Sequence, residues 1–198
     1  MDPLTHYLAG YLLGRHSGLS NAGIRAVTLC ALLPDLDAIA VLGGWTALCT
    51  LHRTATHSLL GALLIALVVA AGVAAWTGKE QARHLLPWCL GGTLSHLLLD
   101  LFSYRTSLLT ILGVAAARTR PEYLEGLQLF WPLAEARFSL VNLGILSQAS
   151  TNVAMLAIFC LLTGSLLGET LRGSRPWRLW TDPVHSLCGR SSYRELPQ

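Results

Sequence analysis

Imidazoles and carboxylates recur in this chain where its apolar segments would not otherwise carry them. They are His6, the Pro34-Asp35-Leu36-Asp37 step, His52-Arg53 followed by Thr56-His57-Ser58, and His96 with Asp100. A carboxylate at the centre of a membrane helix costs about 2.5 to 3.5 kcal/mol, so Asp35, Asp37 and Asp100 together cost on the order of 8 to 10 kcal/mol without compensation. Imidazoles and carboxylates that converge on a zinc-type ion can return about 10 to 16 kcal/mol. The residue types therefore predict a divalent metal site inside a membrane protein, and with it a membrane-embedded metal enzyme.

The spacings carry different weights. His96 and Asp100 are four apart, so on a helix they share a face and reach one ion or two adjacent ones. A buried His-Asp hydrogen bond needs the same spacing. Pro34 disrupts a helix, and two carboxylates at i, i+2 are expected to converge only on irregular or extended backbone. A helix cap accounts for one aspartate, but two in an apolar run ask for a cation. His52 and His57 stand before an apolar run, where the alternative is an interfacial turn with Ser58 or Thr56 as N-cap. Arg53 offers a fork of donors to an anionic substrate oxygen, or to a structural salt bridge. His6 alone reads as a core or interface histidine, and its claim as a ligand rests on the others.

These residues need elements to bring them together. The chain has 198 residues, 53% of them hydrophobic and only 13% charged, with a mean hydropathy of +0.50. Ordinary soluble domains carry about 25% charged residues, so water is not the main solvent of this one. The predicted fold is all-α, a multi-pass transmembrane helical bundle with about three full spans and two shorter N-terminal helices. Ser58 to Thr77 is uncharged for about 20 residues, enough for about 30 Å of hydrocarbon. Leu85 to Phe102 returns as a second span, and Phe138 to Gly168 contains a third. Pro3 to Gly14 and Asn21 to Leu33 are the shorter helices. Residues 1–171 form the membrane-embedded domain, with 103–137 as an extramembrane insert in which Ser107 to Ala117 is a candidate interfacial helix. Residues 172–198 form a polar, arginine-rich tail.

The antiparallel hairpin places His52 and His57, ahead of one span, beside His96 and Asp100 near the end of the next. His6, Asp35 and Asp37 fit the same membrane face. Arg15, Arg25, Lys79, Arg83 and the tail arginines go to the other, which the excess of positive charge marks as cytoplasmic. The site then faces outward from a bacterial cytoplasmic membrane. A net charge of +3 without an arginine stripe excludes a nucleic-acid footprint. Five scattered cysteines, Cys30, Cys49, Cys89, Cys160 and Cys188, lack CxxC spacing and read as buried small hydrophobes. Neither HExxH nor GxSxG is present, which removes a membrane zincin and a serine hydrolase.

In order, Thr5-His6, Leu33-Pro34-Asp35-Leu36-Asp37, His52-Arg53 with Thr56-His57-Ser58, Ser95-His96-Leu97-Leu98-Leu99-Asp100, and Leu129-Phe130-Trp131-Pro132-Leu133 with Arg137 resemble the YdjM-like family of membrane-bound metal-dependent hydrolases. The resemblance covers roughly residues 1–170. It implies metal ligation by His6, Asp35, Asp37, His57, His96 and Asp100, with His52 a ligand or a supporting group. The connection 103–126 is enlarged relative to the family pattern. A more distant similarity is to zinc-dependent phospholipase C and related nucleases, whose downstream zinc-binding histidines lack clear counterparts here.

So many ligands exceed the needs of one tetrahedral ion, and two ions, zinc or manganese, are expected, bridged by Asp35 or Asp37. The expected catalytic set is Asp35, Asp37, Arg53 and His57. The expected partners are the lipid bilayer and a lipid or lipid-linked phosphoester. The competing reading is a transporter or metal-ion channel, since intramembrane His and Asp also mark ion paths.

Overall fold

The computed structural model describes residues 2–77, 79–103, 111–113 and 125–181. Arg105, Arg118, Arg120, Glu122, Cys188, His185, most of the candidate interfacial helix and the end of the tail lie outside them. The described chain is helical, without strands, and its one isolated bridge pairs Leu127 with Phe138.

Pro3–His16 forms α1, which starts on proline, whose missing N–H costs nothing at a helix start. Ser20 caps α2 (Asn21–Leu32) by accepting from the Gly23 N–H. Beyond Leu32 the chain does not become irregular or extended, as the proline predicts, but tightens into a 3-10 helix, Leu33–Gly43. Proline at a first helical position is compatible with that continuation. Then follow α3 (Trp45–Leu51), α4 (Leu59–Thr77), α5 (Lys79–Asp100), α6 (Gln148–Leu171) and the single turn α7 (Arg178–Thr181).

Among the described residues, two helical stretches are long and apolar enough to cross a membrane: Asn21–Gly43, which joins α2 to the 3-10 helix, and Gln148–Leu171. Leu59–Ala75 is a shorter apolar helix. The three full spans predicted from sequence are not confirmed by these residues. The short helix expected at Asn21 to Leu33 is half of a longer one. Within the Phe138 to Gly168 stretch expected to contain the third span, the first part is a turn: Leu140 N–H donates to Leu101 O, Asn142 N–H donates to the Ser139 hydroxyl, and helix begins only after the Ser147 cap.

A core of Ala26, Val27, Cys30, Ala66, Ala70, Leu85 and Cys89 joins α2, α4 and α5. Cys30, Cys49 and Cys89 are buried free thiols, as expected, whereas Cys160 is exposed. Gly92 permits the close approach of α5 to α2, because a Cβ there would lie 2.7 Å from the Val27 carbonyl oxygen. That approach matters for the site, which lies one helical turn further along α5.

Candidate metal centre

Four parts of the chain meet at the end of the bundle where α4 begins and α5 ends. α1 brings His6, the 3-10 helix Asp35 and Asp37, the α3–α4 loop His52, Arg53 and His57, and α5 His96 and Asp100. His6, His57, His96 and Asp100 are buried. The hairpin geometry read from sequence thus brings the predicted ligands to one end of the molecule.

Hydrogen bonds fix the orientation of two imidazoles. His96 Nδ1 lies 2.7 Å from the Ala31 carbonyl oxygen, which can only accept, so Nδ1 carries the proton and Nε2 the lone pair. His57 Nδ1 lies 3.0 Å from Asp37 Oδ2 and donates to that carboxylate, which turns its Nε2 toward the interior of the cluster. The two Nε2 atoms face each other at 3.1 Å. Two lone pairs buried at that distance repel unless a cation, metal or proton, lies between them.

Carboxylates complete the surroundings. Asp35 Oδ1 lies 3.5 Å from His57 Nε2 and 3.6 Å from His96 Nε2, and Asp100 Oδ2 lies 3.6 Å from His57 Nε2. Four ligands on a tetrahedral ion with bonds of about 2.0 to 2.1 Å stand about 3.3 to 3.4 Å apart. The observed separations bracket that value, so the donor set fits a divalent ion. Asp35, Asp37, His52 and His57 form a second group, which shares Asp35 and His57 with the first.

The two aspartates, two apart on the 3-10 helix, serve different sides of His57. Asp35 approaches Nε2, while Asp37 holds Nδ1. Asp37 also accepts from the His52 Nδ1–H on Oδ1, and on Oδ2 from the Arg53 N–H at 3.1 Å and the Thr56 hydroxyl at 2.7 Å. This is the carboxylate-histidine pairing that orients metal-bound imidazoles in known centres. Burial pushes the His52 imidazole below its ordinary pKa, against the opposing pull of Asp37, so the neutral form is favoured.

His6 stands outside both groups. Its Nε2 lies 3.2 Å from Asp100 Oδ1, its ring stacks on His96 with centroids 3.7 Å apart, and its buried Nδ1 has no hydrogen-bond partner. Arg53 adopts φ 67°, a left-handed conformation that costs a non-glycine residue about 1 to 2 kcal/mol. The turn sends its N–H to Asp37 and its carbonyl to the Gln128 N–H. Its guanidinium, which the sequence offers to a substrate oxygen, lies 3.3 Å from Asp100 Oδ2 and donates to the Ser103 carbonyl at 2.6 Å and hydroxyl at 3.0 Å.

Three participants are absent from the sequence-derived site: the Ala31 carbonyl, Thr56 and Ser103. Thr56 adjoins His57 and Ser103 lies one turn beyond Asp100, so proximity to the motifs could have flagged both. A backbone carbonyl leaves no residue-type signal. The Leu129-to-Leu133 motif is nearby but supplies structure: Leu129 O accepts the Leu59 N–H at the start of α4, beside the Ser58 hydroxyl that accepts from the Gly61 N–H.

The family model described as YdjM inner membrane protein matches residues 1–181. No curated protein and no solved structure matches the chain.

Proposed function

The chain belongs to the YdjM inner membrane protein family, and from that membership and the centre's geometry we propose that it is a membrane-embedded, metal-dependent hydrolase of a phosphoester carried by a lipid or lipid-linked molecule. The observation that carries this reading is the convergence of His57 Nε2 and His96 Nε2, 3.1 Å apart, with Asp35 Oδ1 and Asp100 Oδ2 around them. Three carboxylates against one guanidinium give the pocket an excess of negative charge that a divalent ion would balance. His57, His96, Asp35 and Asp100 would hold zinc or manganese, and Asp35, Asp37 and His52 would be the groups left to a second ion. A bound ion would supply Lewis-acid activation of water and neutralise charge that develops on the ester oxygens.

The protein's own groups do the positioning. Asp37 fixes the His57 ring, the Ala31 carbonyl fixes His96, and Arg53 and His6 hold the two oxygens of Asp100. Asp35, the more exposed carboxylate of the inner group, is the candidate to receive a proton from the attacking water. The centre faces outward and the tail cytoplasm, following the arginine and lysine distribution. Clustering of the ligands at one end of the bundle favours an enzyme over an ion path, which would spread its polar groups through the bilayer.

Purified protein should contain tightly held zinc or manganese and cleave p-nitrophenyl phosphate or a bis-ester analogue in a chelator-sensitive manner. His96→Ala should lose both metal and turnover. Stoichiometric metal without turnover, but with metal flux into vesicles, would favour a transporter and sink the hydrolase.

A further inference from the structure

The 3-10 helix that supplies Asp35 and Asp37 also carries an exposed apolar edge. With three residues per turn, side chains at i and i+3 eclipse, so Leu36, Ile39 and Leu42 fall on one line about 12 Å long. All three are exposed, at 61%, 68% and 85%. Pro34, Asp37 and Ala40, on another line, are turned inward to the protein. An α-helix would rotate successive residues by about 100° and break this register. One tight helix therefore sets carboxylates against the centre and an apolar ridge against the surroundings.

Accessibility at the centre points the same way. His6, His57, His96 and Asp100 are sealed, while the Asp35 side chain retains 18% of its exposure and Asp37 and His52 somewhat less. The open side of the centre is thus the one formed by the 3-10 helix and the end of α3. Leu36 adjoins Asp35 there, and exposed Leu51 precedes His52. A wholly water-soluble substrate would have to pass these apolar rims. The ridge is also continuous with Asn21–Gly43, one of the two stretches apolar enough to cross a bilayer.

We propose that the Leu36-Ile39-Leu42 ridge seats the apolar chain of an amphiphilic phosphate ester, which slides in from the bilayer so that its headgroup reaches the centre past Asp35. The proposal rests on the hydrolase reading for its chemistry, but the ridge has its own test. Metal-loaded protein in neutral detergent at fixed micelle concentration is titrated with dodecyl phosphate and with inorganic phosphate. Dodecyl phosphate should bind the wild type more tightly than phosphate does. In the Ile39→Ser/Leu42→Ser variant, which leaves every ligand in place, affinity for dodecyl phosphate should fall about tenfold while that for phosphate stays unchanged. An equal fall for both probes, a fall for neither, or no initial preference for the chain overturns the ridge.

A second measurement covers a variant that fails to fold. A spin label on Ile39→Cys, in a Cys160→Ser/Cys188→Ser background and in phosphatidylethanolamine/phosphatidylglycerol vesicles, should be accessible to oxygen and shielded from a water-soluble nickel chelate. Exposure to the chelate, or shielding from both as under a second copy of the chain, overturns the proposal. Chain-dependent binding without cleavage of any phosphoester would leave the ridge standing and sink the hydrolase reading. Cleavage indifferent to the ridge would do the reverse.

Discussion

The two ends of the bundle use the same side-chain chemistry to different effect. At the far end from the centre, Glu169 of α6 lies 3.5 Å from Arg15 Nε and 3.7 Å from His16 Nε2 of α1, and His16 Nδ1 donates to Leu12 O at 2.8 Å. There one carboxylate is shared by a guanidinium and an imidazole near the surface. At the candidate metal centre His6, His57, His96 and Asp100 are buried, three carboxylates face one guanidinium, and two imidazole Nε2 atoms lie 3.1 Å apart. A composition of His, Asp or Glu, and Arg therefore says little by itself. What separates the two ends is burial and the excess of carboxylates over the guanidinium.

The sharpest way to break that contrast is to remove metal. Binding to the folded state adds stability as RT ln(1 + [L]/Kd), about 2.7 kcal/mol at a hundredfold excess over Kd. Chelator should lower the thermal midpoint of the wild type in detergent and abolish its dependence on added zinc or manganese. The His57→Ala/His96→Ala variant should show no metal dependence at all, whereas Glu169→Gln should respond like the wild type. Equal metal dependence in the double-histidine variant would place the ion elsewhere.

Asp37 sharpens the comparison at an intermediate scale. It accepts from His52, His57, Arg53 and Thr56, and an asparagine of the same shape keeps only one acceptor oxygen and brings an NH2 that faces donors. Loss of a carboxylate that orients a metal-binding imidazole typically costs 10- to 100-fold in metal affinity. Asp37→Asn should fall in that range by competition with a chromogenic chelator, less than His96→Ala loses. A loss as large as that of His96→Ala would make Asp37 a direct ligand.

Legibility from sequence followed the same division. His57, His96, Asp35 and Asp100 stood out because an ionisable group in an apolar run has a large cost that must be offset, and the hairpin of α4 and α5 fixed which end they share. Pro34 was legible as a break but not as the start of a 3-10 helix, since proline forbids an interior α-helical hydrogen bond without choosing among the alternatives. The same uncertainty hid the long Asn21–Gly43 stretch. The third span was legible only as lying within Phe138 to Gly168; the Ser147 cap that starts it at Gln148, and the bonds to Ser139 and Leu101 that hold a turn ahead of it, were not. The carbonyl of Ala31 could not be read at all, because every residue carries one.

The smallest expected effects test whether support for the centre extends to Ser103. Its hydroxyl accepts from Arg53 at 3.0 Å and its carbonyl accepts at 2.6 Å, so the serine side chain supplies one of two anchors for the guanidinium that faces Asp100. Ser103→Ala removes the hydroxyl and keeps the carbonyl. A hydrogen bond to a charged group contributes about 1.5 to 3 kcal/mol, and the remaining anchor shares the work, so metal affinity should fall about fivefold. At the far end, Glu169→Gln disrupts a partly exposed pair, where such changes cost about 1 kcal/mol or less, and metal affinity should not change. Ser103→Ala with wild-type affinity would confine the centre's support to Asp37, His6 and the Ala31 carbonyl. A measurable effect of Glu169→Gln on metal binding would mean that the two ends are coupled through α1, which carries His6 at one end and His16 at the other.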